Sequence, residues 1–81
     1  MTIEEAKQKI IEVIVESTET EMEIGEDTEL YEDMGLASVE VYVMLCDLEE
    51  VFGISIPASA LRRIRKVGDL CELVIDRLSK N

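Results

Sequence analysis

The chain has 81 residues, 47% of them apolar and 4% aromatic. That is enough for one aliphatic core, but too short for a cleft between two lobes, since domains span about 50–250 residues. Residues 1–81 therefore read as a single domain. There is no His, and 19 acids face 8 bases for a net charge of −11. These numbers exclude a His-based triad and a His metal ligand, and they argue against phosphate backbones and anionic membranes as partners. Nor is there a metal site in the cysteines: Cys46 and Cys71 stand far apart with no CxxC, which reads as reduced thiols rather than a zinc site or disulfide framework. The opening MTIEEAKQ lacks the basic start and apolar stretch of a signal peptide, and no run has the ~18 apolar residues of a membrane span. A cytoplasmic location is expected.

Thr2 followed by Glu5 fits a capping box. Ile3, Ala6, Ile10, Val13 and Ile14 then recur at helical spacing and fade at Glu16-Ser17, predicting a first helix. Residues 18–37 have the weakest periodicity, so a long acidic loop is expected. A loop of that length in a small domain needs anchoring. Met22, Ile24, Leu30, Met34 and Leu36 are its candidate anchors, and LYEDM suits a single turn.

A second helix is predicted from about Ser38 to Phe52, ended by Gly53. Val41, Leu45, Leu48 and Phe52 cluster on its wheel as a core stripe, with Met44 and Val51 beside it. Val39, Tyr42, Val43 and Cys46 fall on the opposite side, bordered by Glu49 and Glu50. A helix apolar on both sides in so small a domain is either central or has one face that meets a partner. Ile54 and Ile56 alternate like a short strand that has nothing to pair with. Pro57 then opens a short third helix, ASALRRI, with Leu61 and Ile64 inward. Val67, Leu70, Cys71, Val74, Ile75 and Leu78 give a fourth helix from about Val67 to Leu78. The fold class is all-α: a four-helix bundle of three long helices and one short one, with a long loop between helices one and two.

Charge is unevenly placed. Fourteen acids and no base lie between Ile10 and Leu61. The bases sit at the ends, with Arg62, Arg63, Arg65 and Lys66 in one run. Such a surface serves solubility or docks basic partners. It also opposes folding by self-repulsion.

The stretch most suggestive of chemistry is Asp33-Met34-Gly35-Leu36-Ala37-Ser38-Val39. A Gly turn places one hydroxyl at the head of an acidic helix. Taken alone, Ser38 reads as an N-cap whose oxygen takes an orphan amide. With these residues, the chain resembles the acyl carrier protein family over nearly its whole length. The likeness includes TIEEAKQKII, the acidic loop, LYEDMGLASVEVYVMLCDLEEVFGISIP and IRKVGDLCELV. The family's most specific element is Asp-Ser-Leu at the head of helix two, preceded by Asp-x-Gly. Asp33, Gly35 and Ser38 match it, and Val39 stands for Leu.

The resemblance implies a bundle of acyl-carrier type in which Ser38 carries 4'-phosphopantetheine through a phosphodiester. A helix N-terminus suits a phosphate. The arm's thiol would hold acyl groups as thioesters for enzymes of fatty acid, lipid or polyketide biosynthesis. The chain would supply tether and address, would not itself be an enzyme, and would act as a monomer. Implied partners are a phosphopantetheinyl transferase and acyl-transferring or acyl-modifying enzymes with basic patches. By position, Glu40, Glu49 and Glu50 would be the acidic contacts and Val39, Tyr42 and Cys46 the apolar ones. Cys46 has no His or nearby base, so it reads as a small apolar residue rather than a nucleophile. Three departures point to a specialised member. Ala37 replaces the family's Asp, an acid expected to help the transferase; Val43 stands where an acid is common; and Arg65-Lys66 replace hydroxyl caps before helix four.

Three alternatives are weighed beside this one. A peptidyl carrier for amino-acid thioesters shares the fold. An unmodified acidic adaptor docking through helix two would gain no mass from a transferase. An EF-hand from Asp27 fails, since Glu32 stands where Gly is needed and Ser38 where the bidentate Glu belongs.

Overall fold

In a computed structural model, residues 2–80 are described. Helix α1 covers Ile3–Thr18, α2 Ser38–Phe52 and α3 Val67–Ser79, with a 3₁₀ helix at Ala58–Arg63 between the last two. The architecture is all-helical, as the apolar spacing predicts.

Local chemistry sets the helix ends. Glu5 N–H donates to Thr2 Oγ1 at 3.1 Å, and Thr2 N–H donates to Glu5 Oε1 at 3.0 Å, so the capping box closes. Those bonds hold the Glu5 carboxyl below its ordinary pKa. Helix α2 stops at Gly53, whose φ of 64° lets its N–H reach the Glu49 carbonyl. The short segment after Pro57 winds as a 3₁₀ helix; Ile64 behind it is buried and Leu61 half-buried.

One aliphatic cluster joins the elements. Ile10, Val13 and Ile14 of α1 meet Val41, Met44, Leu45 and Leu48 of α2 and Val67, Leu70, Cys71 and Val74 of α3. Helix α1 packs on both α2 and α3, and α2 also meets the 3₁₀ helix. Ile54 and Ile56 turn inward and are each 8% exposed, without forming a strand. The predicted core stripe of α2 needs one correction. Val51 is 48% exposed, because the neighbouring elements cover the side of the helix through Val41, Met44, Leu45 and Leu48 and leave Val51 beyond its edge.

The long loop is anchored in two ways. Leu30 is fully buried, and Ile24, Met34 and Leu36 pack against the core. Met22 does not: it is 40% exposed, since it sits in the acidic run before the chain turns inward. Main-chain pairing adds the second anchor. Leu30 N–H donates to the Arg65 carbonyl at 2.8 Å, Val67 N–H to Thr28 at 2.9 Å and Gly68 N–H to Glu26 at 2.8 Å. Glu29 and Lys66 form a single antiparallel bridge. A Cβ on Gly68 would stand 3.0 Å from the Glu26 carbonyl oxygen, so this approach favours glycine. The Lys7 ammonium reaches the Glu26 carboxylate at 3.1 Å, a contact that raises the lysine pKa. The loop therefore lies on α1 and on the start of α3, and its last residues deliver the chain to α2.

Candidate functional site

Asp33 closes the turn ahead of α2. Its Oδ2 accepts Glu29 N–H at 2.9 Å, while its own N–H donates to the Glu29 carbonyl at 2.9 Å. Gly35 follows with φ of 68°, a left-handed conformation natural for glycine. Leu36 N–H then donates to the Leu30 carbonyl at 3.1 Å. The Asp-x-Gly pair thus shapes the approach to α2 and leaves the hydroxyl to Ser38.

Ser38 is not the N-cap that its residue type suggests. Ala37 holds that position, with φ −87° and ψ 160°, and its carbonyl accepts Glu40 N–H at 3.0 Å and Val41 N–H at 3.2 Å. One half of a capping box forms: Ala37 N–H donates to Glu40 Oε1 at 2.9 Å. Alanine has no oxygen to supply the other half. Ser38 is therefore the first helical residue. It is exposed, and its hydroxyl takes part in none of the side-chain hydrogen bonds among the described residues. Glu40 N–H is taken by the Ala37 carbonyl, but the Ser38 and Val39 amides at the helix start have no intrahelical acceptor, so an anion on this oxygen would meet those two donors and the positive end of the helix dipole.

The predicted docking residues spread along the outer side of α2. Val39 is 67% exposed and Tyr42 45%, with Cys46 exposed as a free thiol. The three acids differ. Glu40 is engaged at the helix start. Glu49 Oε2 accepts Ile56 N–H at 2.8 Å, tying the segment after α2 to the helix. Glu50 is exposed and has no ion-pair or hydrogen-bond partner among the described residues.

Sequence reasoning left the role of the basic run open. In the fold, Arg62 and Arg65 line a groove of about 380 Å³ together with Ser38, Tyr31, Leu61 and Ile64. The signal was four bases within five residues after a long stretch with none. What could not be read was which of them share a groove with Ser38. A phosphate ester fits this place: the hydroxyl is exposed, the groove is open, and the charged residues in its lining, Arg62 and Arg65, are cationic.

Comparison with known proteins agrees with this geometry. The family model of the phosphopantetheine attachment site matches residues 8–74. The acyl carrier protein of Syntrophus aciditrophicus is 34% identical over 73 residues, covering 89% of this chain and 88% of that one. That of Prochlorococcus marinus is 32% identical over 75 residues, covering 91% and 94%. The crystal structure of the acyl carrier protein from Thermotoga maritima superposes with a TM-score of 0.81 at 25% identity, covering 96% of this chain and 92% of that one. The chain belongs to the acyl carrier protein family, whose prosthetic group is phosphopantetheine. It is a carrier protein, and its family works with enzymes of acyl metabolism and with phosphopantetheinyl transferases. Among the described residues, no helix is long and apolar enough to cross a membrane.

Proposed function

We propose that Ser38 is the attachment point of the 4'-phosphopantetheine arm, and that the chain is a non-catalytic tether for acyl thioesters in fatty acid, lipid or polyketide synthesis. The observation that carries this is the Ser38 hydroxyl, exposed and unengaged at the first position of α2 beside an open groove. Loading would use coenzyme A. Ser38 Oγ forms a bond to the β-phosphorus, the pyrophosphate P–O bond breaks, adenosine 3',5'-bisphosphate leaves, and the hydroxyl proton passes to a base of the transferase. The bound arm supplies a thiol for thioester exchange. The chain's own part is to fix the oxygen at a helix start and to present an address beside it.

That address is the outer side of α2. Val39, Tyr42 and Cys46 give it an apolar centre, and Glu40, Glu49 and Glu50 an acidic border suited to basic patches on partner enzymes. Glu50 carries most of the freely available charge, since Glu40 and Glu49 each hold a backbone amide. The protein acts as one domain, as a monomer in the cytoplasm, where the two free thiols stay reduced.

Incubation with a broad-specificity phosphopantetheinyl transferase and coenzyme A, followed by intact mass, tests the attachment. The native chain should gain one arm. Ser38→Ala should gain none and keep its far-UV circular dichroism. Loading of the Ala variant would sink Ser38 as the attachment point, and no loading of the native chain by any transferase would leave an unmodified acidic adaptor in place of the carrier.

A further inference from the structure

The groove beside Ser38 contains two cations that the fold does not use. The described residues make three ion pairs, through Lys7, Lys9 and Lys80. Arg62, Arg63, Arg65, Lys66 and Arg77 are in none of them, although the chain has 19 acids, and of these five only Arg62 and Arg65 share a groove with Ser38. Neither guanidinium takes part in a side-chain hydrogen bond among the described residues; the bond from Arg65 to Asp69 uses the backbone N–H. Both residues line the groove that Ser38 also lines. Their neighbour Arg63 lines a separate groove between the 3₁₀ helix and α3, with Asp69, Glu72, Asp76, Arg77 and Lys80.

The backbone beneath this pair is fixed. Ile64 is 2% exposed and anchors the segment in the core. The Arg65 carbonyl accepts Leu30 N–H, and the Leu30 carbonyl accepts Leu36 N–H two residues before Ser38. Two main-chain hydrogen bonds thus link the root of Arg65 to the turn that places Ser38. Arg65 N–H is held in addition by Asp69 Oδ2 at 3.0 Å. Planar guanidinium groups match phosphate oxygens two at a time. Holding such groups near a fixed oxygen lowers the ordering cost of the contact.

We propose that Arg62 and Arg65 clamp the phosphodiester joining the arm to Ser38, so that the root of the arm lies in the groove against Tyr31 while its thiol end stays free. The proposal rests on Ser38 being the attachment point. It gives the basic run a task in a strongly acidic chain: neutralising a charge that loading adds beside an acidic helix. The clamp is a positioning device and touches no reacting atom.

The test uses the ¹⁵N-labelled protein before and after loading, with loading established by intact mass. On loading, the Nε–Hε resonances of Arg62 and Arg65 should shift and their protons exchange more slowly with solvent. Those of Arg63 should stay in place. Added sodium chloride should reverse the shifts progressively. In the loaded Arg62→Gln/Arg65→Gln protein, the ³¹P resonance should move toward that of a flexible phosphodiester, whereas Arg63→Gln should leave it unchanged. Loaded native protein in which the three arginines respond alike, or in which Arg62 and Arg65 do not respond, overturns the clamp while leaving Ser38 as the attachment site. A chain that gains no mass overturns both. The resonances of the native protein decide the matter even where the double variant is poorly folded.

Discussion

Leu30→Ala is the sharpest test of how the long loop is held. Leu30 lies in a segment without regular helix, yet it is fully buried among residues from all three α-helices. Removing a fully buried leucine side chain beyond Cβ costs about 2–5 kcal/mol, through lost transfer energy and the cavity left behind. A domain of this size has roughly 4–12 kcal/mol in total, so about 3 kcal/mol would remove a large share. At ~4–8 °C per kcal/mol for small domains, the melting temperature should fall by roughly 12–24 °C. Met22→Ala is the matched control: its side chain is 40% exposed, so the change should stay within about 0.5 kcal/mol. Urea unfolding followed by far-UV circular dichroism gives both values. Hydrogen exchange adds a local readout, because Leu30 N–H bonds to Arg65 and Leu36 N–H to Leu30. Both amides should exchange faster in Leu30→Ala. Equal stabilities for the two variants, or a loss below about 0.5 kcal/mol for Leu30→Ala, would mean that the loop is not anchored through this side chain.

Ala37→Asp should supply the missing oxygen of the α2 capping box and add about 0.5–2 kcal/mol; it should load at least as fast as the native chain, and an unchanged melting temperature would refute the N-cap assignment. Glu50→Lys should weaken partner binding with a clear salt dependence and, by relieving self-repulsion, leave melting unchanged or slightly raised. Glu49→Ala should by contrast destabilise by about 1–3 kcal/mol, because it orphans the Ile56 N–H; equal thermal stabilities for the two glutamate variants would contradict the bond seen here. Burial first, then the neighbouring Glu26 charge, pushes the Cys71 thiol from 9.0 up to about 11, whereas Cys46 is exposed. Native protein should therefore take one equivalent of an alkylating reagent, at Cys46. Because the folded thiol holds its proton longer than the unfolded one, its contribution to stability is full below the unfolded value and is lost as pH rises from about 9 through about 11. Cys71→Ala should flatten that part of the stability profile, and a profile identical to native would refute the assignment.

Much of this protein was legible because helices are written in short-range chemistry. The Thr2–Glu5 box, the apolar spacing of α1 and α3, and the Ser38–Phe52 limits of α2 with Gly53 at its end all depend on residues three or four apart. The sequence also marked Ser38 as the candidate site, which is proposed as the attachment point, and the outer side of α2 as the face without a core role. Tertiary structure decided what depends on distant neighbours. Cover from α1, α3 and the 3₁₀ helix determined that Leu30 is buried while Met22 is not, and that Val51 lies outside the core stripe. Backbone pairing between residues 26–30 and 65–68, nearly forty positions apart, fixed the loop. No periodicity encodes such pairing, because any amide can bond any carbonyl brought within reach. The same is true of the Ser38 hydroxyl. Serine is a favoured N-cap by type, but the turn closed by Asp33 and Gly35 brings Ala37 to that position and leaves Ser38 free. Only the fold could place Arg62 and Arg65 in one groove with Ser38 and Arg63 in another, since that depends on how the segment around the buried Ile64 is drawn into the core.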